Sequence, residues 1–377
     1  MKILIVMEGF FPGKKYGGPP VSVDNFCSLM KEFDCYIVTL NHDMGETKPY
    51  DSIQQGWNNR INSKVRYLSD TEYNIVTFEN IIKEIQPDFL YLQGLFQSCI
   101  LPCLKLSKKY GLKVILAPRG ELCKGAFRHK LYKKVPYVMF LRVFGLLSNV
   151  SFQSTSDEET KAIRNILGAS RDRIYHLANI PSIPNTEYDY LKKEVGSARI
   201  VFLSRIMWKK NLLFAIKSLE KVIGKVQFDI YGMIEQEKYW EKCKDAISEL
   251  PKNIKVNYCG LLDHDDVHKS LSQYDAFLFP TLSENFGHVI AESLIVGCPV
   301  IISNQTPFTD VNEKGAGWAI SLDNIENFTD AVQTIVDCDN DKRDLYYLHS
   351  KKYIASKLDI ITLKNVYYKV LTELVGI

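Results

Sequence analysis

The chain has 377 residues, of which 46% are hydrophobic, so it is long enough for two domains with separate cores. Its 47 basic and 44 acidic side chains nearly cancel, and a net charge of +3 excludes a general nucleic-acid-binding surface. The nine cysteines include no CxxC pair, which indicates buried thiols in a reducing compartment. No apolar stretch reaches the ~18–20 residues of a membrane-spanning helix, so we expect a cytoplasmic protein.

Short apolar runs alternate with helical patterns in the first half of the chain. Strands are predicted at 2–7, 35–40, 65–68, 89–92 and 113–117. A helical pattern follows the glycines and prolines at 17–20, and the polar stretch 41–62 is predicted to be a long loop. Alternation of strands and helices favours a parallel, doubly wound sheet.

The second half repeats this pattern. Strands are predicted at 199–203, 227–231, 255–259, 276–279 and 299–302, with helices at 212–223 and 235–250. We therefore predict an α/β protein with two Rossmann-like domains, residues 1–184 and 185–362. The closing helix, within 363–377, could pack on either domain, and packing back on the first is included in the prediction. A cleft between the strand ends of two such domains suits a nucleotide ligand.

The first loop with chemical interest follows the first strand. Gly17 and Gly18 precede a helix, where paired glycines let backbone amides approach a phosphate closely. The loop lacks the G-x-G-x-x-G fingerprint, which argues against a nicotinamide enzyme. Glycines are common in loops, so the pair alone is a weak signal.

A second loop of the first half, 117–122, also follows a predicted strand. Arg119 and Glu121 in this loop are candidate contacts for a sugar or an acceptor. An ordinary structural turn explains them equally well.

The segment from Lys124 to Arg142 contains six Lys or Arg residues and no acidic residue. Aromatic and aliphatic residues lie between the basic ones, a composition typical of a helix on an anionic lipid surface. The apolar residues could also belong to the core. We predict reversible association with an anionic membrane, on the inner face of the plasma membrane.

In the second half, the turn after the strand at 199–203 carries Arg205 and Lys210. A diphosphate is well matched by a fork-shaped guanidinium and a point-charge ammonium, and stabilising a leaving nucleoside diphosphate would be the main catalytic requirement. Solvated loop bases are the alternative explanation.

The segment 283–294 is the most informative part of the chain. Glu284 lies in a loop, Gly287 begins a helix, and Glu292 lies within its second turn. The backbone amides of Phe286 and Gly287 would face an anionic group, and the two carboxylates would accept hydrogen bonds from sugar and ribose hydroxyls. Alternatively, Glu284 caps the helix and Glu292 is a solvated helix residue.

The pattern E-N-F-G-x-x-x-x-E in this segment resembles the signature of glycosyltransferase family 4, the retaining GT-B enzymes. The G-C-P-V-I segment at 297–301 and the Arg–four residues–Lys turn are similar to further motifs of that family. The resemblance covers residues 1–336 and is most specific in the second half. It implies a GT-B fold and a nucleoside-diphosphate-sugar donor.

The resemblance also implies roles for individual residues. The family uses the first glutamate for the donor sugar and the second for the ribose, which correspond here to Glu284 and Glu292. The segment ending at Leu262 is similar to the one that holds the nucleotide base, and Gly17-Gly18 resembles the donor and acceptor loop.

Two positions depart from the family pattern. Asn211 stands where the family usually has a glycine after the lysine, and the loop 117–122 lacks the histidine that members often use to contact the donor sugar. The second departure leaves the donor sugar unassigned.

A D-x-D pattern at Asp263-His264-Asp265 is similar to the metal site of the other large transferase fold, GT-A. Here it precedes a helical pattern, and capping by aspartate explains it more simply. We therefore predict no metal and no cofactor, since the donor is a substrate.

Together these patterns predict a retaining glycosyltransferase that acts on a glycan or lipid-linked saccharide in bacterial surface polysaccharide synthesis. The alternatives are a nucleotide-sugar epimerase or phosphorylase of the same fold, and a non-catalytic nucleotide-sugar-binding subunit.

Overall fold

The structure, a computed structural model, describes residues 1–184 and 186–376, without the side chain of Lys124. The chain forms two compact units, one of Met1–Ile180 together with Ile360–Ile377, the other of Pro181–Asp359. The predicted boundary at 184/185 lies a few residues beyond this division, and Asn185 itself falls outside the described residues.

The first unit is built on an eight-stranded sheet in the order β3-β4-β2-β1-β5-β6-β7-β8. All neighbouring strands are parallel except β3 and β4, which are antiparallel. The strands are β1 (Lys2–Val6), β2 (Asp34–Leu40), β3 (Trp57–Arg60), β4 (Ser63–Leu68), β5 (Phe89–Gln93), β6 (Lys113–Ala117), β7 (Val150–Ser154) and β8 (Ile174–His176).

Helices cover both faces of this sheet, which explains why its central strands are apolar throughout. Along β1, Leu4 and Val6 pack into the core on one face, whereas Ile3 and Ile5 pack into the core on the other. The helices are α1 (Gly18–Leu29), α2 (Ile75–Ile85), α3 (Ile100–Tyr110), α4 (Lys124–Arg128), α5 (Leu131–Val143) and α6 (Asp157–Ala162).

The second unit contains a six-stranded, fully parallel sheet in the order β11-β10-β9-β12-β13-β14. Its strands are β9 (Ser197–Leu203), β10 (Lys225–Tyr231), β11 (Ile254–Gly260), β12 (Ala276–Phe279), β13 (Val300–Ser303) and β14 (Gly317–Ile320). Its helices are α7 (Leu212–Lys217), α8 (Glu237–Ser248), α9 (Val267–Leu271), α10 (His288–Ile295), α11 (Ile325–Asp337) and α12 (Asn340–Lys357). One continuous cluster of buried apolar residues forms its core.

The closing helix, α13 (Ile360–Val375), belongs to the first unit. The side chain of Tyr367 is 2% exposed, and its hydroxyl donates to the carbonyl of Ala178 at 2.8 Å and accepts from Gln153 Nε2 at 2.9 Å. Tyr368 stacks on Phe33, just after α1. The chain thus returns to its first unit after completing the second.

The prediction of two Rossmann-like domains is confirmed, and all ten predicted strands are present. The prediction that 41–62 is a loop throughout is wrong, because β3 lies within it and forms the edge of the first sheet. Its polar sequence, Trp-Asn-Asn-Arg, lacks the apolar alternation from which strands are predicted. Three further strands, β7, β8 and β14, were not predicted either.

Candidate active site

Three loops meet at the carboxyl ends of β10, β9 and β12, which are neighbours in the second sheet. Strands β9, β10 and β11 follow one another toward one edge of the sheet, whereas β12, β13 and β14 follow one another toward the other edge. The strand order therefore reverses between β9 and β12. Ligands of doubly wound sheets bind in the crevice outside such a reversal. The predicted donor-site residues after β9 and β12 lie at this reversal.

The loop after β10 is fixed against the turn after β9 by hydrogen bonds from backbone amides of that turn. The amide of Ile206 donates to the carbonyl of Met233 at 2.8 Å, and the amide of Trp208 donates to Gln236 Oε1 at 3.0 Å. Gly232 adopts φ +141°, and a Cβ there would overlap the carbonyl oxygen of Ser204. This close approach requires glycine, because any side chain would separate the two loops.

Arg205 extends from this turn toward Glu235 in the neighbouring loop. Its Nη1 lies 2.6 Å from Glu235 Oε2, and the Arg205 side chain is 43% exposed. The guanidinium is therefore paired with a carboxylate and remains exposed to solvent.

Lys210 is more enclosed than Arg205. It forms an ion pair with Glu284, and the two side chains are 15% and 13% exposed. Its Nζ also lies 5.4 Å from the centroid of the Phe279 ring, at the end of β12. The structure thus brings together two residues, Lys210 and Glu284, that are 74 positions apart in the chain.

Asn211, where the resembled family has glycine, adopts φ +60° and ψ 38°. Asparagine is among the few non-glycine residues that tolerate this left-handed conformation. Its Nδ2 donates to the carbonyl of Pro280 at 2.9 Å, which links the turn after β9 to the loop after β12. The departure from the family pattern therefore preserves the backbone geometry.

The loop carrying Glu284 leads into α10. Gly287 adopts φ +79° and occupies the N-cap position, and the half-buried ring of Phe286 packs against those of His288 and Phe308. The alternative that Glu284 caps this helix is wrong, since Gly287 is the cap and the Glu284 carboxylate pairs with Lys210. The first amides of α10 lie beside this loop, where a helix offers donors to an anion.

Glu292 is only 3% exposed, so the alternative of a solvated helix residue is wrong. Burial raises its pKa from the ordinary 4.5 to about 7. A buried acid that titrates near neutrality is a frequent property of ligand-binding positions. Leu262, after β11, is half-buried against the core of the same unit.

The loop between β1 and α1, which contains Gly17, is held by Asp43, a residue that was not among the predicted site residues. Asp43 follows β2, and its carboxylate accepts the backbone amides of Lys14 at 2.8 Å and Lys15 at 3.2 Å. Gly17 adopts φ +71° as the N-cap of α1, which begins at Gly18. The available signal was the position of Asp43 near a strand end, since polar residues there often serve the loops of such sheets.

Arg119 has φ +55°, and its guanidinium is held within the first unit. Nε donates to Gln93 Oε1 at 2.8 Å, Nη1 donates to Asn179 Oδ1, and Nη2 lies 3.4 Å from the Tyr91 hydroxyl. This one side chain therefore joins the loop after β6 to β5 and to the segment that follows β8.

Glu121 also has protein partners. Its carboxylate accepts the amides of Leu95 at 2.5 Å and Phe96 at 3.2 Å, and burial raises its pKa. Glu159, which is fully buried, accepts a hydrogen bond from the backbone amide of Gly120 in the same loop at 2.6 Å. Arg119 and Glu121 therefore hold the loop 118–122 in place through bonds to the protein, which agrees with the alternative of a structural turn.

The D-x-D segment forms a short 3-10 turn, His264–Asp266, ahead of α9. Asp263 is the N-cap residue of this turn and Asp266 that of α9, which are the positions that the capping explanation predicts. Among the residues that the structure describes, the aspartate side chain forms a capping hydrogen bond at neither position. No group of three or more His, Cys, Asp or Glu residues in the described chain is arranged to hold a metal.

The helix α5 carries exposed apolar and basic side chains. Exposed apolar side chains follow one another from Leu131 to Phe144, and the basic residues Arg128, Lys130 and Lys133 are exposed beside them. Lys134 differs, because its Nζ donates to the carbonyl of Ala126 at 2.8 Å and lies 4.7 Å from the ring centroid of Phe96. Lys124 was part of the predicted basic segment, and its side chain lies outside the described residues. None of the described helices has the length and apolarity to cross a bilayer.

Comparison with known proteins supports a transferase relationship for the second unit. Residues 188–351 match the family model of glycosyl transferases group 1. An uncharacterized glycosyltransferase, MJ1607, of Methanocaldococcus jannaschii is 26% identical over 190 residues, covering 47% of this chain and 46% of that protein. An uncharacterized 41.2 kDa protein in the cps region of Klebsiella pneumoniae is 25% identical over 278 residues, covering 70% of this chain and 72% of that protein. The match thus spans about half the length of the first relative.

The fold has a counterpart among solved structures. The crystal structure of Anabaena Alr3699/HepE in complex with UDP and glucose has a TM-score of 0.73 at 13% identity, and the match covers 99% of this chain and 100% of that one. At this identity the likeness establishes the fold, which is GT-B.

Proposed function

We propose that the protein is a retaining glycosyltransferase of family 4. It would transfer a sugar from a nucleoside-diphosphate donor to a glycan or lipid-linked saccharide in bacterial surface polysaccharide synthesis. The observation that carries the proposal is that two ion pairs, Arg205–Glu235 and Lys210–Glu284, lie at the strand-order reversal. The matched family segment contains both pairs, and a relative from a cps region supports the pathway.

The chemistry of these residues fits departure of a nucleoside diphosphate. Negative charge grows on the leaving phosphate as the glycosidic bond breaks, and Arg205 and Lys210 would offset it together with the first amides of α10. Glu284 would accept hydrogen bonds from the donor sugar, and Glu292 from the ribose. Because protein cations can supply the positive charge, we expect turnover without a divalent ion.

The test is nucleotide release from a panel of nucleoside-diphosphate sugars, measured with and without simple or lipid-linked saccharide acceptors. The expected result is acceptor-dependent release that continues in EDTA, with a product that keeps the donor's anomeric configuration in early proton NMR spectra. Product formed from the donor alone would indicate an epimerase. An inverted product would contradict the family assignment, and rescue of EDTA-treated protein by manganese would contradict the charge argument.

We also propose that the enzyme works at the inner face of the plasma membrane and binds anionic lipid through α5. The exposed side chains of Met139, Val143 and Phe144 would enter the interface, and the exposed basic residues beside them would meet lipid phosphates. Lys134 would contribute little, since it is already bound to Ala126 and packed on Phe96. This surface would keep the enzyme near a lipid-linked acceptor.

Vesicle co-sedimentation tests this location. Binding should increase with the fraction of anionic lipid and decrease with salt, because screening weakens exposed charges. The double variant Lys130→Glu/Lys133→Glu should lose most of the binding. Lys238→Glu/Lys242→Glu, which changes the same charge on exposed positions of α8, is the matched control and should bind as the wild type does. Equal sedimentation of both variants would contradict the proposal.

A further inference from the structure

The pairing at the strand-order reversal has a consequence for nucleotide affinity. Each of the two cations proposed for the diphosphate is already neutralised by a carboxylate, Arg205 by Glu235 and Lys210 by Glu284. A diphosphate group would therefore approach four side chains whose charges sum to zero. Phosphate oxygens would compete with the two carboxylates for these cations.

The two carboxylates differ in their surroundings. Glu284 is 13% exposed and has a proposed second role toward the donor sugar, whereas Glu235 is 31% exposed. Glu235 is also held in place by its backbone, since its amide and that of Gln236 both lie 3.2 Å from the carbonyl of Ile206. Exposed ion pairs are usually weak because ordering two side chains costs entropy. Here the backbone that carries Glu235 is already fixed beside the turn that carries Arg205.

We infer, on the basis of the proposed function, that Glu235 is the counter-ion of Arg205 in the nucleotide-free protein and yields the guanidinium to the diphosphate. Its negative charge then remains beside the bound phosphates and opposes them. Glu235 therefore weakens the binding of nucleoside diphosphate, which favours release of the product. This is a role in setting affinity, and Glu235 does not act on the reacting atoms.

The variant Glu235→Gln isolates this effect, because glutamine has the same shape and keeps an oxygen that can accept from Arg205. Calorimetric titration with UDP, GDP, ADP and TDP should give a dissociation constant about three- to tenfold lower than that of the wild type for the nucleotide that binds. The difference should shrink as salt increases. In an Arg205→Ala background, Glu235→Gln should have little effect, because the pair no longer exists.

The control is Glu326→Gln, which removes the same charge from the exposed Lys221–Glu326 pair of the same unit and should leave nucleotide binding unchanged. If the wild type binds a nucleotide and Glu235→Gln binds it equally or more weakly, the inference is wrong while the proposed function stands. A wild-type protein that binds none of these nucleotides would overturn both. Thermal unfolding of each variant identifies loss of fold as a separate cause.

Discussion

The two units use their polar loop residues in different ways. In the second unit, Arg205 and Lys210 are paired with carboxylates of neighbouring loops, in contacts that a phosphate could replace. In the first unit, Arg119 and Glu121 are bound to amides and side chains of their own unit. We therefore expect Arg205 and Lys210 to exchange partners with a ligand, and Arg119 and Glu121 to maintain the shape of a loop. This contrast predicts opposite effects for substitutions in the two units.

The largest expected effect is on turnover and lies in the second unit. Glu284→Gln and Arg205→Ala should each reduce turnover by on the order of 10²-fold or more, because removing one preorganised electrostatic contact typically costs that much. Unfolding temperatures should stay near that of the wild type. Glu326→Gln serves as the control in the nucleotide-release assay. Activity near the wild-type level in either folded variant would remove the distinction between the units.

A substitution in the first unit should act through stability. Arg119→Ala removes hydrogen bonds to Gln93 and Asn179 and leaves buried polar groups without a partner. We expect a loss of roughly 2–3 kcal/mol in the free energy of unfolding, measured by urea titration. A variant with unchanged stability and an increased KM for the acceptor would instead indicate that Arg119 contacts substrate.

Replacement of Glu292 should stabilise the protein, whereas Arg119→Ala destabilises it, and the change should be smaller. Its pKa is about 7 in the folded protein and near 4.5 when exposed, so the folded state binds the proton more tightly. The contribution of Glu292 to the free energy of unfolding is largest below about pH 4.5, decreases as the pH rises toward 7, and is constant above pH 7. Glu292→Gln removes this pH dependence and should raise the unfolding temperature by a few degrees at pH 8.

The pH series provides the control for this prediction, because the gain from Glu292→Gln should nearly vanish at about pH 4. Nucleotide affinity should fall in the same variant, since an amide accepts a ribose hydroxyl less strongly than a carboxylate does. A variant that is less stable than the wild type at pH 8 would show that Glu292 serves the fold, as Arg119 does. The second unit would then not differ from the first in this respect.

Much of this protein was predictable because its signals are local. Apolar runs separated by helical patterns predicted ten strands and two parallel sheets, since a sheet covered on both faces needs continuous apolar strands. The spacing of Glu284, Gly287 and Glu292 likewise predicted a loop followed by a helix, because the glycine and the helical period act within a few residues. The strand β3 has no such apolar pattern, and it forms only because β4 offers it an edge.

The partners of each charged side chain were decided by the tertiary structure. Nothing in the sequence near Arg205 indicates Glu235, and Lys210 meets Glu284 only because β9 and β12 are neighbours in the sheet. The same holds for the burial of Glu292, which changes its pKa, and for Asp43, which holds a loop about 30 residues earlier. Ion pairs and burial depend on distances in space between segments far apart in the chain, and these distances arise only when the sheet order brings the loops together.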